Sequence, residues 1–186
     1  MGAVASKQAR YRDLPSSESP SPPEVTGLAA SLFAEALEAC LRKLGPDGRD
    51  AALTRLQSGE STAVAYLHHE LACRVAERLA AFDQNIKAVY LLDEMDTAED
   101  AWQEGTRPTT MIQLVIWART KTAALTSLAS AFDDAILPKY TALMGVHQMS
   151  RLLMIHFMDD ADVEGRVGFG SLLASIRHRP IRIWQR

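Results

Sequence analysis

Met111-Ile112-Gln113-Leu114-Val115-Ile116-Trp117 is the stretch whose reading decides the fold. Its apolar residues occupy both parities and only Gln113 is polar, so a strand built from it must be covered on both faces. Such a strand, set at about Thr110 to Ala118, belongs in the middle of a sheet. A helix follows it. Leu125, Leu128, Ala129, Phe132 and Ile136 recur at steps of three and four, with Thr120 or Thr122 ahead of them as an N-cap. Pro138 should kink or end that helix, leaving a final turn toward Gly145.

Working outward, Ile86-Lys87-Ala88-Val89-Tyr90-Leu91-Leu92 reads as the preceding strand. Arg151 to Met158 and Ile181 to Trp184 read as the two that follow. Helices are expected over Leu28 to Leu44, about Asp50 to Gln57, and Ser61 to about Ala81, with a short one from Ser171 to about Arg177. Gly45-Pro46-Asp47-Gly48 stops the first helix. In the third, Val64, Leu67, His68, Leu71, Val75 and Leu79 share the inward face, while Glu70, Cys73 and Glu77 point away. This order of elements gives an α/β (α+β) class, a mixed sheet of three to four strands flanked by helices. There is no internal repeat.

A chain of 186 residues can bury one proper core. Residues 1–26, with Pro15, Pro20, Pro22 and Pro23 among serines, read as a flexible tail, and 27–186 as a single mixed α/β domain. A net charge of −3 supplies no basic field, so no nucleic-acid partner is expected. No apolar run approaches the roughly 20 residues of a membrane span. The tail also lacks the apolar centre of a secretory signal. Cys40 and Cys73 fall in separate helices without close spacing, which excludes a disulfide framework or zinc motif and points to reduced thiols and a cytoplasmic location. Met1-Gly2-Ala3-Val4-Ala5-Ser6 fits the N-myristoylation pattern, with Lys7, Arg10 and Arg12 as a basic second signal, so an N-terminally lipidated adaptor is one alternative role.

Two groups of residues are candidate sites. Asp93, Glu94 and Asp96 leave the first strand, and Asp159, Asp160 and Asp162 leave the third. If those strand ends lie side by side, Asp93, Asp96, Asp159 and Asp160 are candidate ligands for Mg²⁺, which prefers oxygen donors; no other cofactor is expected. The segment Gly165 to Ser171 precedes a short helix, and Gly168, Gly170 and Ser171 with Arg177 and Arg179 form a candidate anion site. It lacks the Lys of a Walker loop, and glycines that permit a turn account for it equally.

Other combinations fail on spacing. His68 and His69 stand about 100° apart on a helix and cannot easily share one metal, so His68 is expected as a hydrogen-bonded residue at the core edge. His147 and His156 have no Ser or Cys nucleophile in a Gly-x-Ser-x-Gly elbow. Trp117 and Trp184 are expected in the core or an interface.

The long helix leading into Lys87-Ala88-Val89-Tyr90-Leu91, a loop, and then Ile112-Gln113-Leu114-Val115-Ile116 resembles the small nucleotidyltransferases, over about Ser61 to Met158. The resemblance implies a nucleotidyltransferase-like layer architecture. In that family a Gly-Ser pair follows the first strand, an Asp-x-Asp pair opens the second, and the carboxylates hold two metal ions that clamp nucleotide phosphates. Here Leu92-Asp93-Glu94 stands for the Gly-Ser pair and Met111-Ile112-Gln113 for Asp-x-Asp. The third carboxylate's position falls near His156, with no Asp until Asp159. No catalytic residue is carried over. The departures imply a degenerate, non-catalytic member that acts by binding, as a homodimer or with a protein partner. The alternative is a metal-dependent nucleotidyl- or phosphoryl-transfer enzyme using the acidic loops after the first and third strands.

Overall fold

The structure is a computed structural model that describes residues 22–45, 48–92, 111–146, 148–175 and 180–186, with side chains from residue 27 onward. The four strands are β1 (Ile86–Leu92), β2 (Ile112–Ala118), β3 (Leu153–Met158) and β4 (Ile181–Gln185). They form one mixed sheet in the order β3-β2-β1-β4. β1 runs antiparallel to both β2 and β4, whereas β2 and β3 are parallel. Parallel neighbours need a crossover. It is supplied here by helix α4 (Ala123–Met144), capped by Thr122, whose hydroxyl accepts the Leu125 amide at 3.2 Å. β2 is central, with Ile112, Leu114, Val115, Ile116 and Ala118 all buried. The chain is therefore of the α/β class, with a four-stranded mixed sheet flanked by helices.

Helices α1 (Pro22–Leu44), α2 (Arg49–Gln57) and α3 (Ser61–Phe82) precede the sheet. α3 packs on β1 and β4, and α1 lies across α3 and α4 on the far side. α1 begins at Pro22, inside the segment expected to be a flexible tail. Prolines are tolerated in a first helical turn, where their missing N–H would have no intrahelical partner. Residues 1–21, including Gly2, lie outside the described residues.

Other local expectations are revised. Of the two outcomes expected at Pro138, a kink or an end, the second does not occur: α4 continues to Met144 and closes, near the expected Gly145, with that glycine in the left-handed conformation, φ 64°. Ile136 and Tyr140, both fully buried, anchor the helix on either side of the proline. Asp159 to Asp162 is not a loop but the start of helix α5 (Asp160–Gly165). The chain then enters a 3-10 helix (Gly168–Ala174), earlier than the expected Ser171 start.

Glu70 is a further correction. It is 8% exposed and faces α1, where it pairs with Lys43. Because α3 sits between α1 and the sheet, it buries more than the one stripe a surface helix would. Ala63, Ala72, Ala76 and Ala80 are the small residues that allow this close packing. His68 holds the expected place at the core edge, its Nε2 2.8 Å from the Tyr140 hydroxyl. Among the described residues no helix is long and apolar enough to cross a membrane.

Candidate functional site

Strand register divides the sheet into two faces. The inner face, with Ile86, Val89, Ile112, Leu114, Ile116, Ala118 and Leu153, belongs to the main core with α1, α3 and α4. On the outer face the pairing aligns three cross-strand rows: Leu92–Gln113–Met154, Tyr90–Val115–His156, and Ala88–Trp117–Met158. A second, smaller apolar cluster of Ala88, Tyr90, Val115 and Met158 forms there, with Val163, Phe169 and Leu173 packed over it from α5 and the 3-10 helix. His156 is half-buried and stacks on Phe169, ring centroids 4.2 Å apart and planes at 26°. Burial holds its imidazole below the ordinary histidine pKa.

Charged groups gather at the row that ends with Met158. Both Asp160 carboxylate oxygens accept from the Lys87 ammonium at 2.7 Å, and Oδ1 also accepts the Trp117 indole N–H at 2.8 Å. The same ammonium lies 5.2 Å from the centre of the Trp117 ring. The hydrogen bond from Lys87, then that from Trp117, holds the Asp160 carboxyl below its usual range. Asp159 and Asp162 form a capping box: Asp159 Oδ1 accepts the Asp162 amide at 3.0 Å, and Asp162 Oδ2 accepts the Asp159 amide at 3.1 Å. Lys121 adds its ammonium 2.5 Å from Asp162 Oδ2 and 3.9 Å from Asp159 Oδ2, and depresses the Asp162 carboxyl.

These contacts revise the acidic-site expectation. Leu92, the end of β1, pairs with Gln113, whereas Met158, the end of β3, pairs with Trp117. β1 and β3 are not neighbours and run in opposite directions, so their C-terminal ends stand roughly 13 Å apart along the strands, four residues at about 3.3 Å. The condition for a shared carboxylate cluster, strand ends side by side, is not met. Asp159 and Asp160 stand together, but in a capping box and an ion pair; Asp93, Glu94 and Asp96 lie outside the described residues. Among the described residues no group of three or more His, Cys, Asp or Glu side chains could hold a metal ion.

The glycine segment also has internal work. Gly168 has φ +51°, in the left-handed region that favours glycine. A Cβ on Gly170 would lie 2.2 Å from the Asp162 carbonyl oxygen, so only glycine lets the 3-10 helix approach α5 this closely. The Ser171 hydroxyl donates to the Gly168 carbonyl at 2.7 Å. Gly168, Gly170 and Ser171 are thus one local turn, while Arg177 and Arg179 lie outside the described residues.

Four polar groups escaped the sequence reading. Lys87 and Lys121 carried no motif, and Glu70 was placed outward. Asp133 on α4 is 7% exposed, and its Oδ1 accepts the amides of Leu152 and Leu153 at 2.9 and 2.7 Å. It thereby ties α4 to the entry of β3, with Arg151 Nε 4.0 Å from its second oxygen. Burial raises the Asp133 carboxyl pKa against the opposing pull of those amides. Burial, then Glu70, pushes the Cys40 thiol up to about 11 and the Cys73 thiol in the same direction, which disfavours the nucleophilic thiolate.

No family model, curated protein or solved structure matches this chain.

Proposed function

We propose that this chain is a non-catalytic domain of nucleotidyltransferase-like architecture that works by recognition, as a homodimer. The observation that carries the reading is the composition of one cross-strand row. Antiparallel pairing sets the end of β1 against the opening of β2, so the positions that the family gives to its Gly-Ser and Asp-x-Asp pairs face each other. In this chain that row is Leu92, Gln113 and Met154, and Ile112 beside it is buried in the main core. An amide between two apolar side chains lacks the negative charge that a two-metal clamp needs. The acids described beside the sheet support the same reading. Asp159 and Asp162 cap a helix, Asp160 is held by Lys87 and Trp117, and Asp133 serves backbone amides.

The test is turnover. Incubation with α-phosphate-labelled nucleoside triphosphates and Mg²⁺ or Mn²⁺ should transfer no label to protein or to added acceptors. Robust transfer that disappears in Asp159→Asn or Asp93→Asn would overturn the proposal. The dimer is tested separately by light scattering, where twice the 20.4 kDa chain mass is expected and a single chain mass would remove that part.

A further inference from the structure

We infer that residues 159–174 form a strap, held to the outer face of the sheet by ion pairs, that opens as a unit and uncovers that face. This rests on the fold alone and is independent of the role proposed above.

The strap is bonded within itself. Its two helices meet where Gly170 touches the Asp162 carbonyl, a contact too close for any side chain. Backbone hydrogen bonds run through the junction: the Val167 amide donates to Asp162 at 2.9 Å, Arg166 to Val163 at 3.3 Å, and Gly170 to Val167 at 2.9 Å. Its hold on the sheet is weaker. Gly170 is the only buried residue in it, and the apolar side chains that reach the sheet, Val163, Phe169 and Leu173, are all partly exposed. Two ion pairs supplement them, Lys87 with Asp160 and Lys121 with Asp162, and the four side chains are 27% to 45% exposed. Pairs that wet are screened by salt. The main core, by contrast, joins residues of four helices to the inner face through buried side chains.

A segment with few buried contacts and solvent-accessible anchors is the expected first site of local opening. What it covers is apolar. Tyr90, Val115 and Met158 are buried beneath it, with Trp117 at the clipped end. Opening therefore turns the second sheet face from a covered layer into an apolar strip whose exposure depends on ionic strength.

Amide hydrogen exchange on the full chain tests this. Raising salt from about 0.1 to about 1 M shortens the screening length from about 10 to about 3 Å. These amides donate within the strap, and so short a helix does not keep its own hydrogen bonds once it leaves the sheet; protection of the Val163, Arg166, Val167 and Gly170 amides should then fall together by about three- to tenfold, while amides of β1 and β2 keep theirs. Lys87→Met should reproduce part of the loss at low salt and reduce the salt response, the Lys121–Asp162 pair carrying the remainder. Asp160→Asn repeats the test from the other partner should that variant fail to fold. Gly170→Ala should strip protection from the strap while leaving β1 and β2 protected. The inference is overturned if strap amides exchange only with those of the central strands, if salt and variants lower protection equally across the sheet, or if the strap is unprotected even at low salt.

Discussion

Replacing Asp133 tests the joint between the crossover helix and β3. One oxygen of this buried carboxylate accepts the amides of Leu152 and Leu153, whose side chains are themselves buried. Asp133→Ala leaves both donors without that acceptor. A buried unsatisfied amide costs about 1–3 kcal/mol, so the pair should cost about 2–6 kcal/mol, a large share of the roughly 5–15 kcal/mol by which a domain is stable. Asp133→Asn behaves differently, because an amide oxygen at the same position can accept both bonds and no charge is buried. Its expected cost is below about 1 kcal/mol. The assay is urea unfolding followed by circular dichroism, comparing midpoints at constant slope. Burial raises the Asp133 carboxyl above its ordinary 3.8, so the folded protein disfavours ionisation there. That group's contribution is fully present below 3.8 and is lost as pH rises through the folded value. The wild type should therefore lose ground to Asp133→Asn as pH rises above 3.8. An alanine variant within 1 kcal/mol of wild type, or an asparagine variant as damaged as alanine, would refute the reasoning.

Other perturbations follow the same logic. Burial lowers the His68 pKa to about 4 from 6.5, so its stabilising contribution is complete above 6.5 and is lost as pH falls toward 4, at most about 3 kcal/mol. His68→Gln, which keeps a partner for the Tyr140 hydroxyl, should lose less stability over that window in thermal melts; an unchanged pH profile would contradict the burial argument. Pro138→Ala restores an amide donor inside α4 and should stabilise by about 1–2 kcal/mol, after allowing for the freer unfolded chain. A lower melting temperature in that variant would show that the proline ring itself is needed.

How much of this was legible in the chain depends on where each partner lies. β1 was readable at its full extent, Ile86–Leu92, because a short apolar run between turn residues has few other solutions. The central place of β2 followed from apolar residues on both faces, and a threonine cap, Thr120 or Thr122, from position before the helical period; Thr122 fills it. Asp159-Asp160-Ala161-Asp162 carried a readable local signal, acids three apart at a strand end, which is capping-box spacing as well as metal-loop composition. Glu70 and Asp133 were not readable. Their partners, Lys43 and the amides of Leu152 and Leu153, lie 27, 19 and 20 residues away, and nothing local marks an acid that α1 or β3 will cover. The contact of Lys87 with Asp160 spans 73 residues and needs the sheet order first. The strand-end cluster failed for a related reason. A pattern of apolar residues identifies a strand but not its direction, and β1 runs opposite to β3.

The central claim is that the row formed by Leu92, Gln113 and Met154 recognises rather than reacts. Its most direct test is a nucleotide-transfer assay on the intact chain with Mg²⁺ or Mn²⁺ and each of the four labelled triphosphates, alongside Gln113→Asp. The account predicts no product from the wild-type protein. Product above background from the wild type, lost in Asp159→Asn or Asp93→Asn, would contradict it.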